Sequence, residues 1–170
     1  MDIGLLLLRL AVGLTLAAHG TQKLFGWFGG PGLDAGGRLM EMLGFVPGRR
    51  HLLMAGATET AAGLLLALGL VTPLGASIAF AVMLVAGVSA HARKGFFLAN
   101  GGYEYTLVLG VAGLSLAFAG PGMFSVDTLV GLHLEGALWG VAATVVGLAG
   151  GAIQLAARHQ AVTPQAAAAH

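Results

Sequence analysis

The sequence predicts an all-α fold, a polytopic helical bundle in a membrane, and three observations carry this prediction. Hydrophobic residues make up 57% of the chain and charged residues only 9%, whereas soluble domains carry about 25% charged residues. Most of the 29 glycines lie inside apolar runs, where membrane helices use small residues for close backbone approach. Several of these runs approach the ~20 residues that a helix needs to cross the hydrocarbon core.

Five apolar stretches are candidate transmembrane helices, and we expect four core spans plus a fifth, C-terminal one. They cover residues 3–23, 51–70, 73–91, 103–119 and 137–157. The first is longer than the ~7–15 residue apolar part of a signal peptide, so we expect it to be retained. Only Val71 and Thr72 separate the second stretch from the third, which predicts a tight antiparallel hairpin with Pro73 in the first helical turn.

The remaining segments complete the predicted domain organisation. Residues 1–125 form a four-helix membrane domain, residues 126–157 a connector and the extra span, and residues 158–170 a disordered, alanine-rich tail. Inside the long loop 25–50, an aromatic segment precedes an amphipathic stretch at 33–45, which predicts a short interfacial helix. The loop 120–136 is interpreted as a connector that carries no chemistry.

Lysine and arginine predict the orientation of the chain. With five spans, every basic residue except Arg9 falls on one side of the membrane, and the positive-inside rule makes that side cytoplasmic. We therefore expect the N-terminus outside and the C-terminus in the cytoplasm. The basic residues on the predicted cytoplasmic side are Lys23, Arg38, Arg49, Arg50, Arg93, Lys94 and Arg158.

The composition excludes several kinds of chemistry. With no cysteine, the chain has no thiol nucleophile, no disulfide and no cysteine-ligated zinc or iron–sulfur cluster of its own. A formal net charge of +1 gives no case for a nucleic-acid partner, which requires a clustered basic face. No two histidines have the i, i+4 spacing of a helical metal site, so no metal site is predicted. Redox chemistry would require a bound cofactor or a partner protein.

Two ionised residues lie deep in predicted spans, Arg9 in the first and Glu59 in the second. A charge near the bilayer centre costs about 2.5–3.5 kcal/mol on insertion scales, so each of them needs a partner. Helical periodicity places Gly13 on the same face as Arg9, and Gly56 and Gly63 on the same face as Glu59. We expect an intramembrane Arg9–Glu59 pair, which either only holds the bundle together or handles protons or a substrate.

A second polar group gathers at the predicted cytoplasmic ends of the helices. Its members are His19, Lys23, His91, Asn100, Tyr103 and Glu104. Asn100 is placed to cap the fourth helix, and the Glu104 carboxylate suits the positive end of that helix. The same side chains also supply donors and proton carriers for a quinone or another polar headgroup. These residues therefore either anchor and cap the helix ends at the membrane interface or line a ligand site.

Several separated motifs occur in order along residues 1–125. They are LLRL at 7–10, HGTQKLFGWFGG at 19–30, Glu59, GFF at 95–97 and NGGYEY at 100–105. Together they resemble the DoxX family of bacterial and archaeal membrane proteins. The resemblance implies a four-helix bundle in a prokaryotic plasma membrane, which is the inner membrane if the cell is Gram-negative. The fifth helix is therefore a departure from the family pattern.

The resemblance also implies a function. Members of this family are similar to the small membrane subunit of thiosulfate:quinone oxidoreductase, and others are associated with oxidative-stress and quinone responses. We therefore expect a membrane subunit of a quinone-linked redox system, with a quinone as ligand, no intrinsic cofactor and a soluble or membrane-bound redox enzyme as partner. Whether the chain is catalytic itself or an oligomer is open. The alternatives are an assembly or anchor module for soluble oxidoreductases and a small-solute transporter.

Overall fold

The computed structural model describes residues 2–167, with side chains described as far as Arg158. Every regular element between these residues is helical, which confirms the all-α prediction. The α-helices are α1 Asp2–Phe25, α2 Gly32–Met42, α3 Gly48–Leu68, α4 Thr72–Ala86, α5 Glu104–Ala119, α6 Val126–Leu129 and α7 Ala137–Ala167. At its end, α4 continues into a π-helical turn, Gly87–His91, and a 3₁₀ turn, Ala92–Lys94.

Four helical segments within the described chain are long and apolar enough to cross a membrane. They are Asp2–Phe25, Gly48–Leu68, Thr72–Lys94 and Ala137–Arg158. The fourth predicted span corresponds to α5, which is apolar but has only 16 residues. The predicted interfacial helix at 33–45 corresponds to α2. The fold is a polytopic helical bundle, and its orientation in the membrane stays a prediction.

The predicted glycine-bearing faces of α1 and α3 pack against each other. A Cβ atom added to Gly13 would lie 2.5 Å from the backbone oxygen of Gly63, and one added to Gly20 would lie 2.6 Å from the backbone oxygen of Gly56. Since real Cβ atoms do not approach that closely, only glycine permits this separation of the two helix backbones. The same faces bury Arg9 and Glu59, whose side chains are among the largest that are fully buried.

The C-terminal helix α7 is part of this bundle. It packs along α4 and also contacts α5, and a Cβ atom at Gly147 would lie 2.9 Å from the backbone oxygen of Ser77. Helix α7 extends to Ala167, and the predicted disorder of the tail 158–170 stays a prediction. Residues 168–170 lie outside the described residues, and the division into domains stays a prediction.

The loop 120–136 is more than a connector, and that interpretation of the sequence is wrong. Arg9 donates hydrogen bonds to the backbone oxygens of Pro121 and of Phe124, the latter at 2.7 Å, and to that of Ala67 at 3.4 Å. These carbonyl groups, rather than Glu59, surround the buried guanidinium. Arg9 therefore ties the loop to the end of α3.

A buried carboxylate in α6 makes a second tie. Asp127 is 0% exposed and accepts hydrogen bonds from the backbone N–H groups of Val71 and Thr72 at 2.7 and 3.0 Å, and from the Thr72 hydroxyl at 2.8 Å. These N–H groups lie at the N-terminus of α4, since Val71 is its N-cap residue and Thr72 its first residue, and such groups have no partner inside the helix. Asp127 thus caps α4 from a distant part of the chain, and its negative charge suits that end of the helix dipole.

We expect Asp127→Asn to lower the free energy of unfolding by about 1–2 kcal/mol, since hydrogen bonds to a charged acceptor and helix caps have this magnitude. Thermal unfolding in mild detergent, followed by circular dichroism, measures it. Asp34→Asn is the matched control, because Asp34 is 84% exposed in a surface ion pair with Arg49 and such pairs contribute little. Equal effects of the two substitutions would contradict the capping role.

Candidate functional site

Glu59 pairs with Lys23 and not with Arg9, so the predicted Arg9–Glu59 pair is wrong. The Lys23 ammonium donates a hydrogen bond to Glu59 Oε2. The Glu59 side chain is 2% exposed, whereas that of Lys23 is 25% exposed. The carboxylate is therefore enclosed in the bundle, and its cationic partner reaches it from the more open side.

The glycine packing of α1 against α3 sets this pairing. It places Arg9 beside Ala67 and Gly69, and Glu59 lies about 12 Å back along α3 from Ala67, at 1.5 Å per residue. Gly20 of α1 packs against Gly56 of α3 in the same antiparallel arrangement. The last turns of α1 therefore lie beside Glu59. Lys23 is one turn beyond Gly20, within reach of a long side chain.

Aromatic rings continue the site from α1 to α5 and to the end of α4. The rings of His19 and Tyr105 stack at a centroid distance of 5.9 Å and an interplanar angle of 24°. The Tyr105 ring also contacts the His91 ring edge-on at 5.2 Å, and its hydroxyl lies 3.3 Å from His91 Nε2. We refer to His19, Lys23, Glu59, His91 and Tyr105 as the polar cluster.

The backbone around His91 fixes the orientation of its ring. His91 Nδ1 lies 2.7 Å from the carbonyl oxygen of Gly101, and since a carbonyl only accepts, Nδ1 carries a proton. In the neutral tautomer with that proton, Nε2 accepts a hydrogen bond from the Tyr105 hydroxyl. His91 is the last residue of the π-helical turn, a geometry that is frequent at functional sites. Tyr105 and His91 are therefore joined to the loop between α4 and α5.

Three predicted site residues lie outside the polar cluster. Asn100 is exposed in a 3₁₀ turn and does not cap α5, which begins at Glu104. The Glu104 carboxylate accepts a hydrogen bond from the backbone N–H of Leu98 at 2.8 Å and so closes the loop. The Tyr103 ring packs edge-on against Phe96 at 5.5 Å. All three shape the loop rather than the buried site.

The sequence prediction missed Tyr105 and did not join Glu59 to this site. Tyr105 lies in the NGGYEY motif, but helix spacing alone does not show which of its two tyrosines faces the bundle. Asp127 was also missed, although an aspartate in an otherwise apolar segment is a signal for a buried cap. His51, which had no assigned role, accepts at Nδ1 a hydrogen bond of 2.9 Å from Gln154 Nε2 of α7.

The polar cluster combines groups with different chemical abilities. Lys23 is a donor, Glu59 binds protons or accepts hydrogen bonds, and the imidazoles and the phenol donate or accept. The His19 and Tyr105 rings add flat surfaces. Among the described residues, no group of three or more His, Cys, Asp and Glu is placed to hold a metal ion. Such an arrangement is suited to binding a planar polar group and to moving protons at the edge of the membrane interior.

Fold and site together define a multi-pass helical membrane protein with a buried ionic and aromatic site at one end of its bundle. The DoxX family model matches residues 4–92, which is more than half of the 170-residue chain. The chain belongs to the DoxX family. Neither the curated proteins nor the solved structures compared with it include a significant match.

The matched region contains most of the polar cluster. Residues 4–92 run from the first turn of α1 to the end of the π-helical turn, and they include every member of the cluster except Tyr105. Helices α5 and α7 lie beyond the match. The α1–α3 contact and four of the five cluster residues thus lie inside the matched region, and α5 supplies Tyr105 from outside it.

Proposed function

We propose that this protein is a membrane subunit of a quinone-linked redox system and that the polar cluster binds the quinone headgroup. The observation that supports this most is the buried Glu59 carboxylate, hydrogen-bonded to Lys23 on the helix that also carries the His19 ring. A charge held inside an apolar bundle is costly and usually functional. The stacked rings of His19 and Tyr105 provide a surface for a flat headgroup.

Each group has a role in this proposal. The Lys23 ammonium donates a hydrogen bond to one carbonyl oxygen, and the Tyr105 hydroxyl turns from His91 Nε2 to donate to the other. Both oxygens accumulate negative charge when the headgroup is reduced. Reduction of a quinone to a quinol takes up two electrons and two protons. A partner redox enzyme supplies the two electrons, and the two protons come from water at the α4–α5 loop. The histidines and Glu59 relay them, each taking up a proton before it passes one on.

A second candidate function is an assembly module for soluble oxidoreductases. The side chains that favour it are exposed and basic, and they lie in α2, in the first turn of α3 and in the 3₁₀ turn after α4, at the Lys23 end of the bundle: Arg38, Arg49, Arg50, Arg93 and Lys94. Such a surface attracts an acidic partner. A transporter that uses Arg9 and Glu59 as one site is disfavoured, because Arg9 is engaged by backbone carbonyl groups and Glu59 by Lys23.

Two tyrosines in one motif allow a sharp test of the quinone site. We expect Tyr105→Phe to weaken binding of a short-chain ubiquinone analogue about three- to tenfold, as the loss of one hydrogen bond implies. Tyr103→Phe is the matched control, since it removes the same hydroxyl two residues away, outside the polar cluster. Binding to the purified protein in lipid nanodiscs is measured by calorimetric titration.

The outcomes separate the proposed functions. Unchanged binding in Tyr105→Phe, or equal loss in both variants, would contradict the polar cluster as the headgroup site. If the purified chain binds no quinone analogue but retains an acidic soluble oxidoreductase in mild detergent, the assembly module replaces the quinone subunit.

A further inference from the structure

A second feature of the bundle is an apolar cleft of about 260 Å³ between α3, α4 and α7. Its walls are mainly aliphatic and thioether side chains: Met54, Ile78, Val82, Val85 and Val146. The hydroxyls of Thr58 and Ser77 also line the cleft, but they donate to backbone oxygens of their own helices at 2.8 and 2.9 Å. Since both hydroxyl protons are used within their own helices, the interior of the cleft behaves as an apolar site.

The cleft differs from the polar cluster in position and chemistry. On α3 its lining residues include His51, Ala55 and Thr58, which lie roughly 120° around the helix from the face of Gly56, Glu59 and Gly63. Helix α7, which closes the cleft, is outside the region that the family model matches. The cleft is thus a separate site, with a wall that the matched region does not supply.

The end of the cleft nearest the Lys23 end of the bundle is polar and basic. His51 of α3 and Gln154 of α7 are joined by a hydrogen bond of 2.9 Å across it. Arg50 precedes the lining residue Met54 by one helical turn, and Arg158 follows Gln154 by one turn. Two arginines from different helices therefore continue the cleft walls toward the membrane surface.

The arginines differ in their local surroundings. Arg50 is exposed. Arg158 is half-buried, and its Nε donates to the backbone oxygen of Leu43, which fixes the guanidinium beside the α2–α3 connection. Guanidinium groups bind phosphate oxygens in a bidentate manner. The mouth of the cleft thus has one guanidinium group held by a backbone contact and one exposed guanidinium group, and both can bind phosphate oxygens.

We propose that the cleft binds an anionic phospholipid, with one acyl chain between α3, α4 and α7 and the headgroup phosphate at Arg50 and Arg158. The distance from His51 to Thr58 along α3 is about 10 Å, so the apolar part accommodates a segment of an acyl chain. Basic pockets between membrane helices bind anionic lipids in this way. A neutral ligand would leave the pair of arginines without a counter-charge.

Native mass spectrometry of the full chain in mild detergent tests the site with two lipids of identical acyl chains. We expect phosphatidylglycerol to stay bound and phosphatidylcholine to be lost. The double variant Arg50→Gln with Arg158→Gln should bind phosphatidylglycerol about 30-fold more weakly, given the contribution of each of the two basic residues near a lipid headgroup. Arg93→Gln is the matched control, because Arg93 is an exposed arginine in another loop.

A third variant tests whether the acyl chain occupies the cleft. A Cβ atom at Gly150 would meet only Ala81 Cβ, at 3.7 Å, so Gly150→Leu fills the cleft without a backbone clash and keeps both arginines. We expect it to abolish retention of phosphatidylglycerol. Lipid-free melting temperatures of all variants show whether the fold is intact, and Arg50→Gln alone, at an exposed position, is the fallback if the double variant unfolds.

Several results would overturn the proposal. Equal retention of the two lipids, or equal weakening by Arg93→Gln and the double variant, would indicate general surface attraction. Retention of phosphatidylglycerol in Gly150→Leu would exclude the cleft. Displacement of the lipid by a neutral ubiquinone analogue that binds equally well without the arginines would identify the cleft as a quinone site.

Discussion

Lys23→Met is expected to lower the free energy of unfolding by about 3–5 kcal/mol, because removal of one partner leaves a buried carboxylate uncompensated. Glu59 is 2% exposed and accepts its hydrogen bond from Lys23. Methionine keeps the length of the side chain and the packing of its methylene groups, so the change isolates the charge. Thermal unfolding in mild detergent, followed by circular dichroism, measures the effect.

A double variant that also removes the Glu59 charge tests whether the loss of stability comes from the unpaired carboxylate. Lys23→Met combined with Glu59→Met removes both charges, and we expect it to recover most of the lost stability, since a neutral pair of similar volume is tolerated in place of a buried ion pair. Lys94→Met is the control for loss of an exposed lysine. A double variant as unstable as Lys23→Met, or a Lys94→Met variant equally unstable, would contradict the pairing.

Gly63→Leu is expected to cost about 3 kcal/mol or more, at or above the upper end of overpacking effects. Even a Cβ atom at Gly63 would lie 2.4 Å from the backbone oxygen of Gly13 and 2.5 Å from the backbone nitrogen of Ala17. No rotamer avoids contacts with backbone atoms, so α1 and α3 have to separate. The separation would also break the contact between Lys23 and Glu59.

Gly4→Leu is the matched control for that substitution. Gly4 lies in α1, and an added Cβ atom would meet nothing within 4 Å. Since leucine has a higher helix propensity than glycine, we expect unchanged or slightly raised stability. The melting temperatures of Gly63→Leu and Gly4→Leu, measured in the same detergent, show whether the destabilisation is specific to the α1–α3 contact. Similar melting temperatures would contradict the close α1–α3 packing.

The fold and the interior faces of the helices could be predicted from the sequence, because apolar length and helical periodicity are local properties. These properties place Arg9 and Glu59 inside the bundle, which is confirmed. They do not give the axial offset of two antiparallel helices. That offset depends on how Gly13 meets Gly63, so the pairing of Arg9 with Glu59 was wrong, and Lys23 takes its place.

Contacts between distant segments account for the other differences. Asp127 caps α4 from the 120–136 loop, and no local pattern links an aspartate to a helix that begins 55 residues earlier. The π-helical turn that ends at His91 departs from the regular spacing used to assign faces. Tyr105 contacts His91 at the end of that turn, whereas Asn100 in the loop and Glu104 at the start of α5 remain outside the polar cluster.

Photolabelling with an azido-substituted short-chain ubiquinone analogue, followed by peptide mass spectrometry, tests the proposed headgroup site most directly. We predict label on the α1 segment with His19 and Lys23 or on the α5 segment with Tyr105. An excess of unlabelled ubiquinone analogue should suppress the labelling, and the Lys23→Met/Glu59→Met variant should lose it. Label confined to Met54 and Val146 in the cleft, or unchanged labelling in that variant, would contradict the polar cluster as the quinone site.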